Sequence, residues 1–384
     1  MNFGVGRGLT HDADNPKVKA IGGFPFRTRT PSGLRGRWEN ASAGAAAYPC
    51  RAALISLSSK GHPVNSKRRL VLLLGCSALA PVAMAQGRYP AGPIRFIVPF
   101  APGGGSDFIA RQIAARLNAA HAYDVAVENR PGAGGNLGAE QALKEPADGH
   151  TLLVISGSYA GNAVLNKPEF DPVQAIQPIV QFTREPLVLI VGAASAVRTL
   201  GELVDKARKA PASLSYGSPG AGSLLHLATE NLSMLAGVTL NHIPYRGTRP
   251  ALTDVANGRV DLMLGGTTSV LPLVKAGDVR PLAVGTPRRL AALPGVPTFA
   301  EAGVAGFRTD LWHGLVAARG VPAAAVARLN ADINAVLRSR DVAARLAADG
   351  VTPTGGTPEQ FGKLIRADME RWERLVQQGA IKLK

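Results

Sequence analysis

Cysteine is almost missing from this 384-residue chain: there are two, Cys50 and Cys76, and both precede residue 86. If that front segment is removed, what remains can form no disulfide, no thiolate zinc site and no thiol nucleophile. Histidine is scarce as well, with seven residues and neither an HExxH pattern nor a paired metal-ligand spacing. No glycine-rich loop ends in the Gly-Lys-Ser/Thr of a phosphate-binding P-loop. Gly132-x-Gly134 imitates the start of a dinucleotide fingerprint, but the next glycines are wrongly spaced and no fitting acidic strand end follows. Gly157-Ser158-Tyr159-Ala160-Gly161 lacks the residue between glycine and serine that a nucleophile elbow needs. Ser223 and His226 share a helical face, but a serine in a first turn reads as a cap. No repeat of solenoid length is visible. These absences lead to the expectation of no metal, no cofactor and no catalysis.

Basic residues are in excess, 43 Lys and Arg against 27 Asp and Glu, for a formal charge of +16. Residues 1–85 hold 12 of the basic and 3 of the acidic groups, which leaves 31 against 24 beyond them. What remains is spread thinly, with no basic arm, so a nucleic-acid partner is not expected. A mildly basic body suits long-range steering of small anions and equally suits solubility.

The front of the chain reads as two pieces. Lys67-Arg68-Arg69 is a positive n-region, Leu70 to Val82 an apolar core, and Ala83-Met84-Ala85 a small-x-small cleavage site before Gln86. Residues 64–85 thus read as a secretory signal peptide cut after Ala85. The apolar core is too short for a permanent bilayer anchor. Leu73-Leu74-Gly75-Cys76 resembles a lipoprotein box, but too few apolar residues precede Cys76. Residues 1–63 are rich in Gly, Ser, Arg and Ala without a sustained period, and no Met lies between Met1 and Met84. The reading is that translation starts near Val64, from a non-ATG codon, and that residues 1–63 are an extension with no packed fold.

Beyond Gln86 short apolar runs alternate with helical stripes. Ile94–Phe100, Tyr123–Glu128 and Thr151–Ile155 read as strands. Between them, a helix capped by Ser106 or Asp107 carries Ile109, Ile113 and Leu117, and another begins near Asn136. Leu187–Val191 reads as a strand near the middle. The alternation then restarts with a capping box, Thr199-x-x-Glu202, whose helix turns Leu203, Val204 and Ala207 inward. Strands follow at Thr239–Ile243, Val260–Leu264 and Val279–Val284, and Thr298-x-x-Glu301 is a second capping box. The tail is helical: Pro322 opens a helix with Val326, Leu329, Ile333 and Val336. Thr357-Pro358-Glu359-Gln360 opens another through Phe361, Leu364, Ile365, Trp372 and Leu375. β-loop-α alternation implies parallel sheet with helices on both faces. Two such halves with helical ends suggest a two-domain clamp.

Two glycine-rich loops carry the chemistry. Pro99 to Asp107 (PFAPGGGSD) and Tyr216 to Ser223 (YGSPGAGS) each follow a strand and open a helix. Glycine lets a backbone approach a ligand closely, and free N–H groups at a helix start favour an anion. Such loops lie at the C-terminal strand edges where open α/β sheets bind ligands. Two of them could grip one carboxylate-bearing molecule without an arginine.

These segments, in this order, resemble the tripartite tricarboxylate transporter receptor family, also called the Bug family of periplasmic binding proteins. The resemblance is carried by PIRFIVPFAPGGGSD, VENRPGAGGNLGAE, DGHTLL, LSYGSPGAGSLLHLA, HIPYRG, NGRVDLMLGG and VRPLAVGTPRR with LPGVPTFAEAG, over nearly all of residues 88–384. It implies an α/β, two-lobed Venus-flytrap of the type II periplasmic class. Lobe 1 would be residues 88–187 plus 308–384 and lobe 2 residues 188–307, with crossovers near Leu187–Val191 and Phe307–Leu315. It further implies that a small carboxylate is held largely by backbone amides, small hydroxyls and ordered water. The first-lobe contacts would be Phe100, Gly104, Ser106, Asp107, Asn136, Ser156 and Ser158. The second-lobe contacts would be Ser218, Gly222, Ser223, His226, Tyr245 and Thr267. The implied partners are the membrane permease subunits of a tripartite transporter, served by a monomeric receptor in the periplasm. A sensor for a two-component kinase and an enzyme on the same scaffold are the alternatives. Thr248-Arg249 departs from the small residues usual after PYRG, and Arg249 reads either as a solvated loop charge or as a cleft residue.

Overall fold

The computed structural model describes residues 89–166 and 168–379. The signal peptide at 64–85, its cleavage after Ala85, the 1–63 extension and both cysteines lie outside the described residues.

The first strands are β1 (Ile94–Val98), β2 (Val125–Asn129) and β3 (Thr151–Ser156), and they pair in parallel in the order β2-β1-β3. Between them run α1 (Gly105–His121) and α2 (Asn136–Leu143), and α3 (Gly157–Leu165) follows β3. The α1 stripe is as read: Ile109, Ile113 and Leu117 are wholly buried. Its cap is not. The N-cap is Gly104, which has no side chain to offer, while Asp107 reaches back to accept the Gly103 N–H at 3.0 Å.

The next strand, β4 (Ile176–Gly192), is 17 residues long. The sequence shows only its second half, because Pro178 and Pro186 break the apolar pattern of the first. The strand accommodates this with irregular pairing between Pro178 and Val180 and between Gln181 and Thr183. Beyond it lie α4 (Leu200–Lys209), β5 (Ser215–Ser218), α5 (Leu224–Ala236), β6 (Asn241–Pro244) and α6 (Thr248–Ala256). Then come β7 (Leu262–Gly266), α7 (Thr267–Ala276), β8 (Val279–Val284) and β9 (Asp310–Ala318). The chain closes with α8 (Ala323–Arg338), α9 (Arg340–Ala348), β10 (Thr352–Pro353) and α10 (Pro358–Gln377).

β4 is shared by two sheets. From Ile176 to Pro186 it runs antiparallel to β9, which also pairs with β3. From Leu187 to Val191 it runs antiparallel to β7, and its far side takes β8. The second sheet is completed by β5 and β6, parallel to each other and to β7. The sheets are therefore mixed rather than purely parallel. Strands β4 and β9, which read as crossovers, are antiparallel members at the seam.

Two apolar cores follow. One gathers Phe96, Val98, Ile113, Phe182, Leu329 and Ile333 between the first sheet and helices α1 and α8. The other runs from the opposite face of that sheet into the second, through Ile155, Leu189, Tyr216, Leu264 and Trp372. Burying each such side chain contributes about 1.5–3 kcal/mol. The Thr357 box forms, with Thr357 and Gln360 capping each other, whereas at Thr199 only half of it does: the Thr199 side chain accepts the Glu202 N–H, but Glu202 Oε2 accepts from Arg198 N. Thr298 and Glu301 also cap each other, but over turns that do not continue into a helix. Among the described residues no helix is long and apolar enough to cross a membrane.

Candidate functional site

β1, β2 and β3 all end at one edge of the first sheet, and α1, α2 and α3 begin there. β5 and β7 deliver α5 and α7 to the facing edge of the second sheet. The two edges close on a cavity of about 30 Å³. Phe100, Gly104, Gly105, Ser106 and Asp107 line it from the β1–α1 turn, and Ser156 and Ser158 from the end of β3. Pro219, Leu225, Thr248, Gly266 and Ser269 close it from the second sheet, and Leu311 and His313 of β9 form its base. A smaller space beside it shares Phe100, Ser156 and Ser158 and adds Asn136 and Asn162.

The start of α1 is the part with unused capacity. The first N–H groups of a helix have no acceptor within it, and the Gly104 N-cap supplies none. The Asp107 carboxylate is already committed: it accepts from Gly103 N, Arg111 Nε and Asn129 Nδ2, each at 3.0 Å. Burial alone would raise this carboxyl, but the bonds from Arg111, the Gly103 amide and Asn129 outweigh it and hold it below the ordinary carboxylate range. Asp107 thus stays ionised and fixes the turn, while Gly104, Gly105 and Ser106 at the helix start line the cavity.

The second glycine-rich loop is differently occupied. Gly222 N donates to His226 Nδ1 at 3.2 Å, Ser223 N to the Gly220 carbonyl at 3.1 Å, and His226 N to Ser223 Oγ at 3.4 Å. The Leu224 N–H, first in α5, is taken across the cleft by Ser158 Oγ at 3.0 Å. Asn166 of the turn after α3 donates to the Ala221 carbonyl at 3.3 Å, and Asn162 to the Gly134 carbonyl at 2.6 Å. The loops of the two sheets are in direct contact.

The remaining sequence-read residues lie farther out, except Thr267, which lies deeper. Ser218 is buried, with its hydroxyl 2.7 Å from His242 Nε2. Gly222 and His226 line a separate outer cavity with Glu230 and His242, where the His226 and His242 rings stack at 4.1 Å. The Tyr245 hydroxyl donates to Asp254 at 2.7 Å, and burial with that carboxylate pushes it up to about 12. Thr267 is buried at the start of α7, facing Gly350. Arg249 is solvent-exposed and lies against the β1–α1 turn: a β-carbon on Gly103 would stand 2.7 Å from its Nη1. Among the described residues no group of three His, Cys, Asp or Glu could hold a metal ion.

Two residues that the sequence reading passed over stand at the base of the cleft. His313 is wholly buried on β9, and Glu185 wholly buried on β4 one residue before Pro186. The available signal was an acid set directly before the apolar strand run PLVLIV.

Two mixed sheets joined through a shared long strand, with helix starts facing a cleft, define the periplasmic-binding-protein class of fold. Within that class, the chain belongs to the family described as the tripartite tricarboxylate transporter family receptor, TctC, which matches residues 109–381. Protein BugT of Bordetella pertussis is 33% identical over 326 residues, spanning 84% of this chain and 100% of that one. Among solved structures, Rpa4515 of R. palustris with adipate is 36% identical, with a TM-score of 0.73 over 75% of this chain and 97% of its own. MatC from Rhodopseudomonas palustris with bound malate is 31% identical, with a TM-score of 0.71 over 75% of this chain and 100% of its own. The family is one of solute-binding receptors.

Proposed function

We propose that this chain is a periplasmic receptor that captures a small carboxylate and presents it to the membrane permease subunits of a tripartite transporter. It acts as a monomer, without cofactor or catalysis, after export and cleavage following Ala85. The lobes are residues 88–187 plus 308–384 and residues 188–307, moving about β4 and β9. The observation that carries this reading is the uncapped start of α1 at a cavity that Ser106, Ser156 and Ser158 also line. Amides at a helix start together with small hydroxyls suit a carboxylate. The adipate and malate in two relatives' solved structures support the same ligand class.

A cavity of about 30 Å³ has room for a water molecule or two. On this reading a dicarboxylate needs more room than that, and uptake requires the lobes to part. Ligand favours closure because only the closed form contacts it from both sides. The test is a thermal-shift screen of the mature protein against mono-, di- and tricarboxylates, with mass spectrometry of any co-purified ligand. Stabilisation by one carboxylate class supports the reading. Indifference to all of them, or chemical turnover of one, overturns it.

A further inference from the structure

Two buried side-chain atoms in one corner at the base of the cleft, Glu185 Oε2 and His313 Nε2, have no close hydrogen-bond partner among the described residues, and Thr267 Oγ1 turns toward Glu185 without closing a full bond to it. An unpartnered buried polar atom is costly, and two side by side mark a place built for something else. Gly105 and Gly266, which both line the cavity, separate this corner from it only by bare backbone. A β-carbon on Gly105 would stand 3.5 Å from Glu185 Oε2. The corner thus adjoins the first amide of α1.

The other half of each group is accounted for. Glu185 Oε1 accepts from Thr268 N and Thr268 Oγ1, both at 2.6 Å, and so caps α7, whose own N-cap, Gly266, has no side chain. His313 Nδ1 lies 3.3 Å from Thr183 Oγ1. With that hydroxyl donating, the ring proton sits on Nε2, the open side. Burial drives the imidazole down to about 3, so it is a neutral donor.

Resting on the carboxylate reading above, we propose that Glu185, His313 and Thr267 form an inner subsite that binds one carboxylate of the ligand as an acid–anion pair, so that capture takes one proton from solvent. The ligand oxygen accepts from His313 Nε2–H and from a protonated Glu185, while the α1 amides hold it from the other side. Two carboxyl groups in one dry site share a proton because both cannot be ionised there.

The groups facing Glu185 fit this. β9 presents His313, whose Nδ1 is 3.9 Å from Oε2 and neutral. α7 presents only the hydroxyls of Thr267 and Thr268, and the end of α9 presents Asp349, whose charge opposes ionisation. In the first turn of α1, Asp107 is matched by Arg111. No cation is paired with Glu185 among the described residues. Burial raises its carboxyl to about 7, so it is part-ionised in the empty receptor at neutral pH, and an arriving anion drives it to the acid form.

The test is titration calorimetry of the mature receptor with adipate, malate, succinate and citrate, in PIPES and in Tris, between pH 5.5 and 8. The heat difference between buffers counts protons. For whichever of these binds, uptake rises toward one proton per ligand at pH 8 and vanishes near pH 5.5. Glu185→Gln keeps an acceptor for Thr268 and abolishes the uptake at every pH. His313→Phe weakens binding by roughly tenfold or more. Circular dichroism of both variants checks that they fold. Binding without proton uptake, or uptake that survives in Glu185→Gln, overturns the subsite and leaves the carboxylate receptor standing. Binding of none of the four overturns both.

Discussion

Gly134 and Gly220 meet backbone to backbone across the cleft: a β-carbon on Gly220 would stand 2.8 Å from the α-carbon of Gly134. Gly134 follows β2 of the first sheet and Gly220 follows β5 of the second, and both have positive φ, 65° and 140°. A β-carbon on Gly134 would also run into the Ala221 carbonyl oxygen. Closure to this form therefore depends on two residues without side chains. Gly134→Ala and Gly220→Ala should hold the lobes apart and weaken ligand binding by roughly tenfold, from about 1–2 kcal/mol of left-handed strain plus the clash. Calorimetry gives the affinity and small-angle scattering the compaction. Unaltered values for both variants would show that the contact is incidental.

Gly104 tests the anion site itself. Its φ is −86°, and a β-carbon would have ordinary room, 3.5 Å from Thr248 Cβ. Gly104→Asp should therefore fold. It would also place a carboxylate where it can accept from the α1 amides, as an N-cap aspartate does. The variant should be as stable as the parent or up to about 1 kcal/mol more so, yet lose ligand-induced thermal stabilisation. A full ligand shift in the variant would remove this helix start from the site.

Much of the fold was legible because local signals agreed. The helices opened by Thr199 and Thr357 each have a capping threonine and an apolar face, and both formed as read. The seam was not legible. β4 carries Pro178, Pro186 and the polar run Gln181 to Glu185, which suppress a strand signal, and only pairing with β9, more than a hundred residues away, makes them strand. For the site, the Gly-rich turns announced their helix starts. What the sequence could not say is which amides stay open. The Leu224 amide is claimed by Ser158, 66 residues earlier in the chain, whereas the α1 start has no such claimant. Glu185 and His313 were missed for the same reason, since they become neighbours only through the β4–β9 register.

Ser158 should act as a latch. Its hydroxyl caps α5 from the opposite sheet, accepting the Leu224 N–H at 3.0 Å. Ser158→Ala removes an acceptor that only the closed form supplies, worth about 1 kcal/mol. The ligand-free receptor should shift toward the open form by roughly fivefold, at little cost to either lobe. Fluorescence transfer between dyes on the two lobes reads that equilibrium. An unmoved equilibrium would mean that the capping bond is replaced by water without loss.

The Glu185–His313 corner should also shape the pH dependence of the empty receptor, with opposite signs on the two sides. Glu185 has an ordinary value of 4.5, and burial raises it to about 7 in the fold. Its neutral form is favoured, so its contribution is complete below pH 4.5 and is lost as pH rises through 7, on the order of 3 kcal/mol in all. His313 has an ordinary value of 6.5, and burial lowers it to about 3. Its contribution is complete above pH 6.5 and is lost as pH falls through 3. The pair together favours the window between pH 4.5 and 6.5. In thermal melts across pH, Glu185→Gln should remove the decline above pH 6.5 while leaving the acid side below pH 4.5 unchanged. His313→Phe should do the reverse. A Glu185→Gln melting curve parallel to the parent's above pH 5 would mean that Glu185 is ionised in the fold at no cost. The buried corner would then contain a counter-charge that the geometry does not provide.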